Sequence, residues 1–195
     1  MNTLAATSIR NKQEIGSLFS AAGDFKAEED EPIEMVVASG AVLKGHFRLE
    51  SGDDTDMFFR FSSVAGNRAY VDRIADLLIC KLKADGVEFD AVLMQEAAGR
   101  ILGGTIADKL GKRKLVVETD NRNRPTMTLI NEASLYPGDK VLLVVDLMTA
   151  GGALRKMAEL TREKKAVPVG VALFAVRNKK AKAEFESEVG LRVYA

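Results

Sequence analysis

The feature that most constrains this 195-residue chain is an apolar run, Val141–Val145, that ends in Asp146. An unbroken run of aliphatic residues is typical of a strand that is buried on both faces of a parallel sheet. A helical pattern of apolar residues begins shortly afterwards, at Ala153, and extends to Lys165. The sequence therefore predicts a strand–turn–helix unit in which both faces of the strand are covered.

The turn in this unit predicts an anion site. It contains Thr149, Ala150, Gly151 and Gly152. The helix that follows begins with N–H groups that have no partner within the helix, at the positive end of its dipole, and glycine lets a phosphate approach the backbone. Asp146 repels a phosphate, so its carboxylate suits sugar hydroxyls or a metal beside the phosphate. On these residues alone, a phosphosugar site and a turn that only joins two packed elements both remain open.

The wider pattern is an alternation of helices and strands. Such alternation gives a mostly parallel sheet that is covered on both sides, and ligands bind outside the carboxyl ends of its strands. Helices are predicted at Ser8–Ala21, Ile33–Val42, Asn67–Ala84, Ile101–Leu110 and Ala153–Lys165, and strands at Asp56–Phe61, Ala91–Met94, Leu115–Glu118, Lys140–Asp146 and Val169–Val176.

Two motifs carry a resemblance to a known family. Residues 140–153 resemble the ribose-phosphate signature of the type I phosphoribosyltransferases. Gly45–Gly52 and the following Met57–Arg60 resemble the N-terminal signature of orotate phosphoribosyltransferases. The resemblance implies an α/β, type I phosphoribosyltransferase-like fold: a central, mostly parallel sheet flanked by helices, with a small N-terminal hood. We therefore divide the chain into an N-terminal accessory helix and acidic connector, residues 1–31, and a phosphoribosyltransferase-like domain, residues 32–195.

The resemblance also assigns roles to residues of the turn. In the family, backbone amides of the turn hold the 5′-phosphate, which gives this role to Thr149, Ala150, Gly151 and Gly152. Thr149 also aligns with a threonine that approaches the base. Asp146 aligns with an acid that contacts the ribose hydroxyls, and we expect it to be catalytic.

Three further residues are expected to bind the base. Phe58 and Phe59 match an aromatic pair that lines the pyrimidine pocket, and Arg177 matches an arginine that binds the carboxylate of orotate. The planar guanidinium suits that task better than a lysine. Plain core packing remains an alternative for Phe58, because neighbouring strand residues face opposite ways, and a solvated strand-end arginine remains one for Arg177.

Several charges of the family pattern are replaced. Val145 stands in place of the first acid, Glu50 in place of a lysine, and Ala98 in place of a lysine or arginine. Each lost charge-assisted contact to pyrophosphate is worth about 1.5–3 kcal/mol. In the loop that closes over pyrophosphate, Arg122 and Arg124 replace a lysine and a histidine, and we expect these two arginines to be catalytic. Arg100, Lys112 and Arg113 are expected near the same edge and offer further compensation.

The activity implied by the resemblance is phosphoribosyl transfer. Phosphoribosyl pyrophosphate, with Mg²⁺, and a nitrogen base, with orotate favoured, give a nucleotide monophosphate and pyrophosphate in pyrimidine nucleotide synthesis. The replaced charges leave open a non-catalytic regulatory protein that binds phosphoribosyl pyrophosphate or a nucleotide. The resemblance further implies a homodimer. We expect no dedicated protein metal ligands, because the chain has one histidine and the acidic cluster near Asp54 reads as a solvated turn.

The composition argues against some classes of binding partner and indicates a location in the cell. Lys plus Arg and Asp plus Glu both number 28, so there is no electrostatic basis for nonspecific binding to nucleic acid or to an anionic membrane. No apolar run approaches the roughly 20 residues that span a bilayer. There is no signal-peptide pattern at the N-terminus, and we therefore expect a cytoplasmic protein.

Overall fold

The computed structural model describes residues 7–15, 30–48, 54–95, 98–120, 124–130 and 135–195. The chain forms two compact units, residues 1–70 and 71–195. The boundary between the units falls within the first turn of a long helix, Arg68–Ala84.

The first unit contains a three-stranded antiparallel sheet. Its strand order is β1–β2–β3, and the register shifts between Lys44 and Phe47, within the Gly45-His46 step. A β-bulge of this kind bends and twists a strand. The elements are β1 (Thr7–Ser8), α1 (Asp30–Ser39), β2 (Val42–Arg48), β3 (Asp54–Phe59) and α2 (Phe61–Ala65), and α3 (Arg68–Ala84) follows them.

Two predicted helices of this unit have different bounds in the structure. The helix expected to begin at Ser8 begins after Asn11, whose side chain accepts hydrogen bonds from the N–H groups of Gln13 and Glu14 and so caps the helix. Ser8 belongs to β1 instead, so the segment 1–31 contributes a strand as well as a helical turn. Its accessory role stays a prediction. The helix expected to end at Val42 ends at Ser39, because Gly40 has a positive φ of 61° and stops it.

The second unit is built on a six-stranded sheet. Its order is β11–β9–β7–β4–β5–β6; all neighbours are parallel except β5 and β6. A separate parallel pair, β8–β10, lies beyond β7 and β9 in the chain. The elements are β4 (Ala91–Gln95), α4 (Ala98–Leu110), β5 (Arg113–Thr119), β6 (Pro125–Leu129), β7 (Lys140–Val144), β8 (Leu147–Met148), α5 (Gly152–Glu163), β9 (Val167–Ala172), β10 (Ala175–Val176), α6 (Lys179–Val189) and β11 (Val193–Tyr194).

Both faces of the central strands are buried. Leu93 and Leu143 belong to a core cluster that also includes Leu154 and Met157 of α5. Residues of the opposite face, such as Val144, are equally buried and pack against α4. The central, mostly parallel sheet flanked by helices is therefore confirmed, and the apolar run of β7 has the burial that its composition predicts.

Some features of the second unit were not predicted. The strands β6, β8 and β11 were not predicted, because none of them contains a long apolar run. Val169–Val176 was predicted as one strand, whereas the structure contains β9 and, after a break, β10. Within the described ranges, no helix has both the length and the apolar character needed to cross a membrane.

Two neighbouring glycines of α4 make the packing of this helix on the sheet testable. A β-carbon at Gly103 would lie 3.1 Å from Cβ of Met94 and 3.2 Å from Cβ of Val144, whereas one at Gly104 would meet nothing within 4 Å. Gly104→Ala should therefore stabilise the protein by about 0.5–1 kcal/mol, the usual gain in a helix. Gly103→Ala should destabilise it by about 1 kcal/mol, because β-carbons fixed to two strands cannot move aside.

The measurement is urea unfolding of both variants beside the natural protein. Both changes replace glycine by alanine at adjacent positions of one helix. The difference between their free energies of unfolding therefore reports the contact between the helix and the sheet. Equal stabilisation by both alanines would contradict the close approach of α4 to β4 and β7.

Candidate functional site

The turn singled out by the sequence lies at the carboxyl end of β7. The chain leaves the sheet at Val144, passes through Val145 and Asp146, forms the two-residue strand β8 and enters the turn before α5. The main-chain carbonyl of Asp146 accepts hydrogen bonds from the N–H groups of Phe174, at 3.0 Å, and Ala175, at 3.3 Å. The loop after β7 is thereby joined to the loop after β9, and both lie where ligands of parallel sheets bind.

Gly151 sets the shape of the turn. Its φ of 76° and ψ of 13° are left-handed values, which glycine adopts without steric cost, and it is the N-cap residue of α5. No side chain caps this helix end, so the N–H groups of its first turn are available to an outside acceptor. A β-carbon at Gly151 would lie 2.8 Å from Cε of Met148, on the packed side of the turn, whereas one at Gly152 would meet nothing within 4 Å. A side chain can therefore be introduced at Gly152 without a steric clash of its β-carbon.

Asp146 is partly buried at the carboxyl end of β7. Burial raises the pKa of Asp146, and hydrogen bonds from its own N–H group and that of Leu147 offset this rise only in part. A carboxylate held in this way is a strong acceptor for hydroxyl groups and has lost much of its own hydration. This fits the predicted contact with ribose hydroxyls.

Arg177 lies beside the turn, as the sequence predicts. It follows β10, and its N–H group donates a 2.8 Å hydrogen bond to the carbonyl of Met148, the residue before Thr149. The parallel pairing of Val176 with Met148 sets this position. Arg177 is exposed rather than buried, so its side chain lies at the open rim of the site. The structure thus brings Asp146, the Thr149–Gly152 turn and Arg177 together at one edge.

The two aromatic residues lie on β3 in the first unit. Phe58 pairs in register with Leu43 and Phe59 with Val42, and both rings are partly exposed. The Phe58 ring packs on Phe47 with the ring centroids 5.4 Å apart. This contact supports the packing alternative for Phe58, and the role of Phe58 and Phe59 in base binding stays a prediction.

Arg124 immediately precedes β6 and is paired with Asp120, which immediately follows β5. Its Nε donates a 2.8 Å hydrogen bond to Oδ2 of Asp120, and its Nη2 lies 2.6 Å from the same oxygen. The backbone N–H of Arg124 donates to the other carboxylate oxygen. Arg122 lies outside the described residues. The catalytic roles of Arg122 and Arg124 stay predictions, and for Arg124 the role requires that the pair with Asp120 opens.

The other basic residues do not all lie at the predicted edge. Lys112 and Arg113 precede or begin β5, so they lie at its amino end, opposite the turn. There the Lys112 ammonium lies over the Phe89 ring and Arg113 pairs with Asp139. The prediction that Lys112 and Arg113 replace lost positive charges at the carboxyl edge of the sheet is therefore wrong, because it did not take the direction of β5 into account. Arg100, in the first turn of α4, does follow the carboxyl end of β4.

The three replaced positions are spread over the fold. Val145 is buried within the core cluster of the second unit. Ala98 is the first residue of α4, and Glu50 lies outside the described residues. The sequence analysis overlooked Arg155 of α5, whose side chain contacts the turn, and Asp120, the partner of Arg124. Spacing within the helix could have indicated Arg155, because residues four apart lie on one face.

The raised pKa of Asp146 predicts an unusual effect on stability. The raised pKa means that the folded state favours the protonated form of Asp146 more than the unfolded state does. The charged form therefore lowers the free energy of unfolding at pH 7. This reduction becomes smaller as the pH falls through the raised pKa. Asp146→Asn should therefore unfold at a higher temperature than the natural protein at pH 7, and the gap should narrow toward about pH 4, near the ordinary pKa of aspartate.

Thermal unfolding followed by circular dichroism at several pH values measures this effect. Asp139→Asn is a control of opposite sign, because Asp139 pairs with Arg113 and its pKa is lowered; that change should destabilise the protein at pH 7. A lower unfolding temperature for Asp146→Asn at pH 7 would refute the account of Asp146.

Comparison with known proteins identifies the family of this chain. The Phosphoribosyl transferase domain family matches residues 62–192. The chain is 32% identical over 165 residues to an orotate phosphoribosyltransferase of Desulforamulus reducens, covering 84% of each chain. The described fold is similar to that of an orotate phosphoribosyltransferase from Aeropyrum pernix, with a TM-score of 0.66, 22% identity, and coverage of 82% of this chain and 89% of that one.

A second solved structure is similar over a shorter part of its own length. Leishmania donovani UMP synthase matches with a TM-score of 0.72 and 19% identity, covering 84% of this chain and 34% of that one. This chain therefore spans about a third of that protein. The family match covers the β7 turn, the helices α3 to α6 and all strands of the six-stranded sheet except β11. The chain belongs to the phosphoribosyltransferase family.

Proposed function

We propose that this protein is an orotate phosphoribosyltransferase, which transfers the phosphoribosyl group of phosphoribosyl pyrophosphate to orotate and releases pyrophosphate. The observation that carries the proposal is the β8–β10 pair. In this pair the backbone N–H group of Arg177 donates a hydrogen bond to the carbonyl of Met148, the residue before the turn, which supports a role for Arg177 in binding a base attached to the ribose phosphate. The curated relative of Desulforamulus reducens bears the same activity in its name.

The proposed chemistry needs no covalent nucleophile. Amides of the Thr149–Gly152 turn bind the 5′-phosphate, and Asp146 accepts hydrogen bonds from the ribose hydroxyls. The bond to pyrophosphate breaks as the orotate nitrogen approaches, so positive charge develops on the ribose ring and negative charge on the leaving group. The protein contributes alignment of the two reactants and electrostatic stabilisation of these charges. The negative charge of the Asp146 carboxylate beside the ribose would favour the cationic ring.

Dependence on Mg²⁺ is part of the proposal. Mg²⁺ in such sites is held by one or two carboxylates together with substrate phosphates. Asp146 offers one carboxylate at this edge, and within the described part of the chain no group of three or more His, Cys, Asp or Glu side chains could form a protein cage. The residues fit an ion that arrives on the pyrophosphate oxygens. When bound, it would offset the negative charge of the leaving group.

A non-catalytic regulatory protein is the second candidate. The observations that favour it are Val145 in place of an acid and the pairing of Arg124 with Asp120, which leaves fewer positive charges to serve pyrophosphate. Such a protein would keep the phosphate turn and the base-binding arginine. In either case we propose a homodimer and a cytoplasmic location, on the resemblance to the family.

The phosphate site can be tested by charge at Gly152. Gly152→Asp places a carboxylate at the first position of α5, where it favours the helix but repels a phosphate. Gly152→Asn has the same shape without the charge. The aspartate variant should bind orotidine 5′-monophosphate at least about tenfold more weakly than the asparagine variant, a loss of about 1.4 kcal/mol.

Isothermal titration calorimetry measures both affinities, and thermal unfolding shows that both variants are folded. Because the backbone is changed in the same way in both, only the charge differs. Equal affinities for the two variants would place the phosphate elsewhere.

The choice of base can be tested at Arg177. Arg177→Ala should weaken orotate binding about tenfold or more while leaving binding of ribose 5-phosphate unchanged, because the guanidinium faces the base carboxylate in this proposal. Arg177→Lys keeps the charge but loses the fork of two parallel donors, and it should recover only part of the affinity.

Competition calorimetry with orotate, uracil and adenine supplies the readout. The natural protein should prefer orotate, and the alanine variant should lose this preference. Tight binding of adenine, or equal binding of uracil and orotate by the natural protein, would exclude orotate as the substrate without affecting the family assignment.

A further inference from the structure

The side chain of Arg155 reaches back from α5 to the turn that precedes the helix. Its Nη1 donates a 2.8 Å hydrogen bond to the carbonyl oxygen of Ala150. Its Nη2 and Nε donate to Oε2 of Glu188 on α6, at 2.6 and 3.2 Å. The guanidinium carbon lies 5.6 Å from the centroid of the Phe185 ring, and that ring is fully buried. The guanidinium is therefore held from two sides, and this fixes its donor to Ala150.

The contact with Ala150 determines the direction of an amide that the proposed function uses. Among the described residues there is no cis peptide bond. In a trans peptide unit the carbonyl and the next N–H group point in opposite directions. Because the Ala150 carbonyl points toward Arg155, the N–H group of Gly151 points away from Arg155, out of the packed side of the turn.

The backbone N–H group of Arg155 orients the next amide of the turn, which is that of Gly152. The N–H group of Arg155 donates a 3.0 Å hydrogen bond to the carbonyl of Gly151, and this directs the N–H group of Gly152 out of the end of the helix. Gly151 has little resistance to a peptide flip of its own, because glycine populates both signs of φ. The side-chain contact therefore holds one of the two peptide units, and the helix holds the other.

We propose that Arg155 is a positioning residue of the phosphate site, which aims the Gly151 N–H group at the 5′-phosphate through its hydrogen bond to Ala150. The inference rests on the proposed function, because it assigns the phosphate to this turn. Arg155 does not touch the ligand in this account. Its guanidinium is engaged by Glu188 and Ala150 on the packed side, and its effect on binding passes through the backbone.

The chain offers a matched control in Arg162. This arginine lies two helical turns further along α5, and its Nη2 donates a 2.8 Å hydrogen bond to the carbonyl of Val189 at the end of α6. Both arginines therefore join the same two helices, and only Arg155 contacts the turn. Methionine is a suitable replacement at both positions, since it keeps the apolar stem that packs on Phe185 and removes the donors.

The experiment compares Arg155→Met with Arg162→Met in the full chain, with ribose 5-phosphate as the probe. Calorimetry should show a loss of about tenfold or more for Arg155→Met and less than about twofold for Arg162→Met, corresponding to about 1.4 and 0.4 kcal/mol. The Gly151 amide signal in a ¹⁵N–¹H spectrum should move on addition of ribose 5-phosphate in the natural protein and in Arg162→Met. In Arg155→Met it should move much less, an effect that general destabilisation of a folded variant does not produce.

Equal losses for the two methionine variants, or an undiminished shift of the Gly151 signal in Arg155→Met, would overturn the proposal. If Arg155→Met does not fold, Arg155→Lys is compared with Arg162→Lys instead, with the same two readouts, because a lysine lacks the planar fork that donates to Ala150 and Glu188 from separate nitrogen atoms. Failure of the natural protein itself to bind ribose 5-phosphate would overturn the proposed function as well, and this result is distinct from binding that Arg155 does not influence.

Discussion

The site depends on the burial of β7 on both faces. A strand whose alternating side chains are all apolar can only lie between covered neighbours, here β4 and β9, and helices pack over its two faces. The chain must then leave the sheet at a fixed point, its carboxyl end, where backbone groups can no longer pair within the sheet. Asp146, the turn and the start of α5 are all placed by that exit. The position of the proposed phosphate site follows from the packing of the strand rather than from an independent loop structure.

Placing a carboxylate directly after this strand has a consequence for stability. Asp146 is surrounded closely enough that burial raises its pKa, although two N–H groups donate to it. A residue selected only for folding would be neutral there, as Val145 is in the preceding position. A partly buried carboxyl whose pKa is raised by its surroundings is typical of a residue retained for binding or catalysis. Arg177 lies at the same edge and is exposed. The site therefore combines the partly buried carboxylate of Asp146 with the exposed guanidinium of Arg177.

The sequence was sufficient for the parts of the fold that rest on long periodic segments. The apolar run predicted a buried strand, which the structure contains as β7, and the helix predicted at Asn67–Ala84 is present as α3. Short elements were not predictable in this way. The two-residue strands β8 and β10 have no periodicity of their own, yet their pairing brings Arg177 to the turn.

Side-chain partners were also beyond the sequence analysis. The pairing of Arg124 with Asp120 and the contact of Arg155 with Ala150 depend on rotamers and on the exact path of turns. The placement of Lys112 and Arg113 was wrong for a simpler reason, since a residue at the start of a parallel strand lies at the opposite end of the sheet from a residue that follows one. Strand direction alone would have corrected it.

The central claim is that this site performs phosphoribosyl transfer to orotate. The most direct measurement is the formation of orotidine 5′-monophosphate from phosphoribosyl pyrophosphate and orotate in the presence of Mg²⁺, followed by the loss of orotate absorbance. The account predicts turnover that falls in the double variant Arg122→Ala, Arg124→Ala while the affinity for orotidine 5′-monophosphate is retained. Tight binding of the nucleotide by the natural protein with no turnover of orotate would contradict it and would favour the regulatory protein.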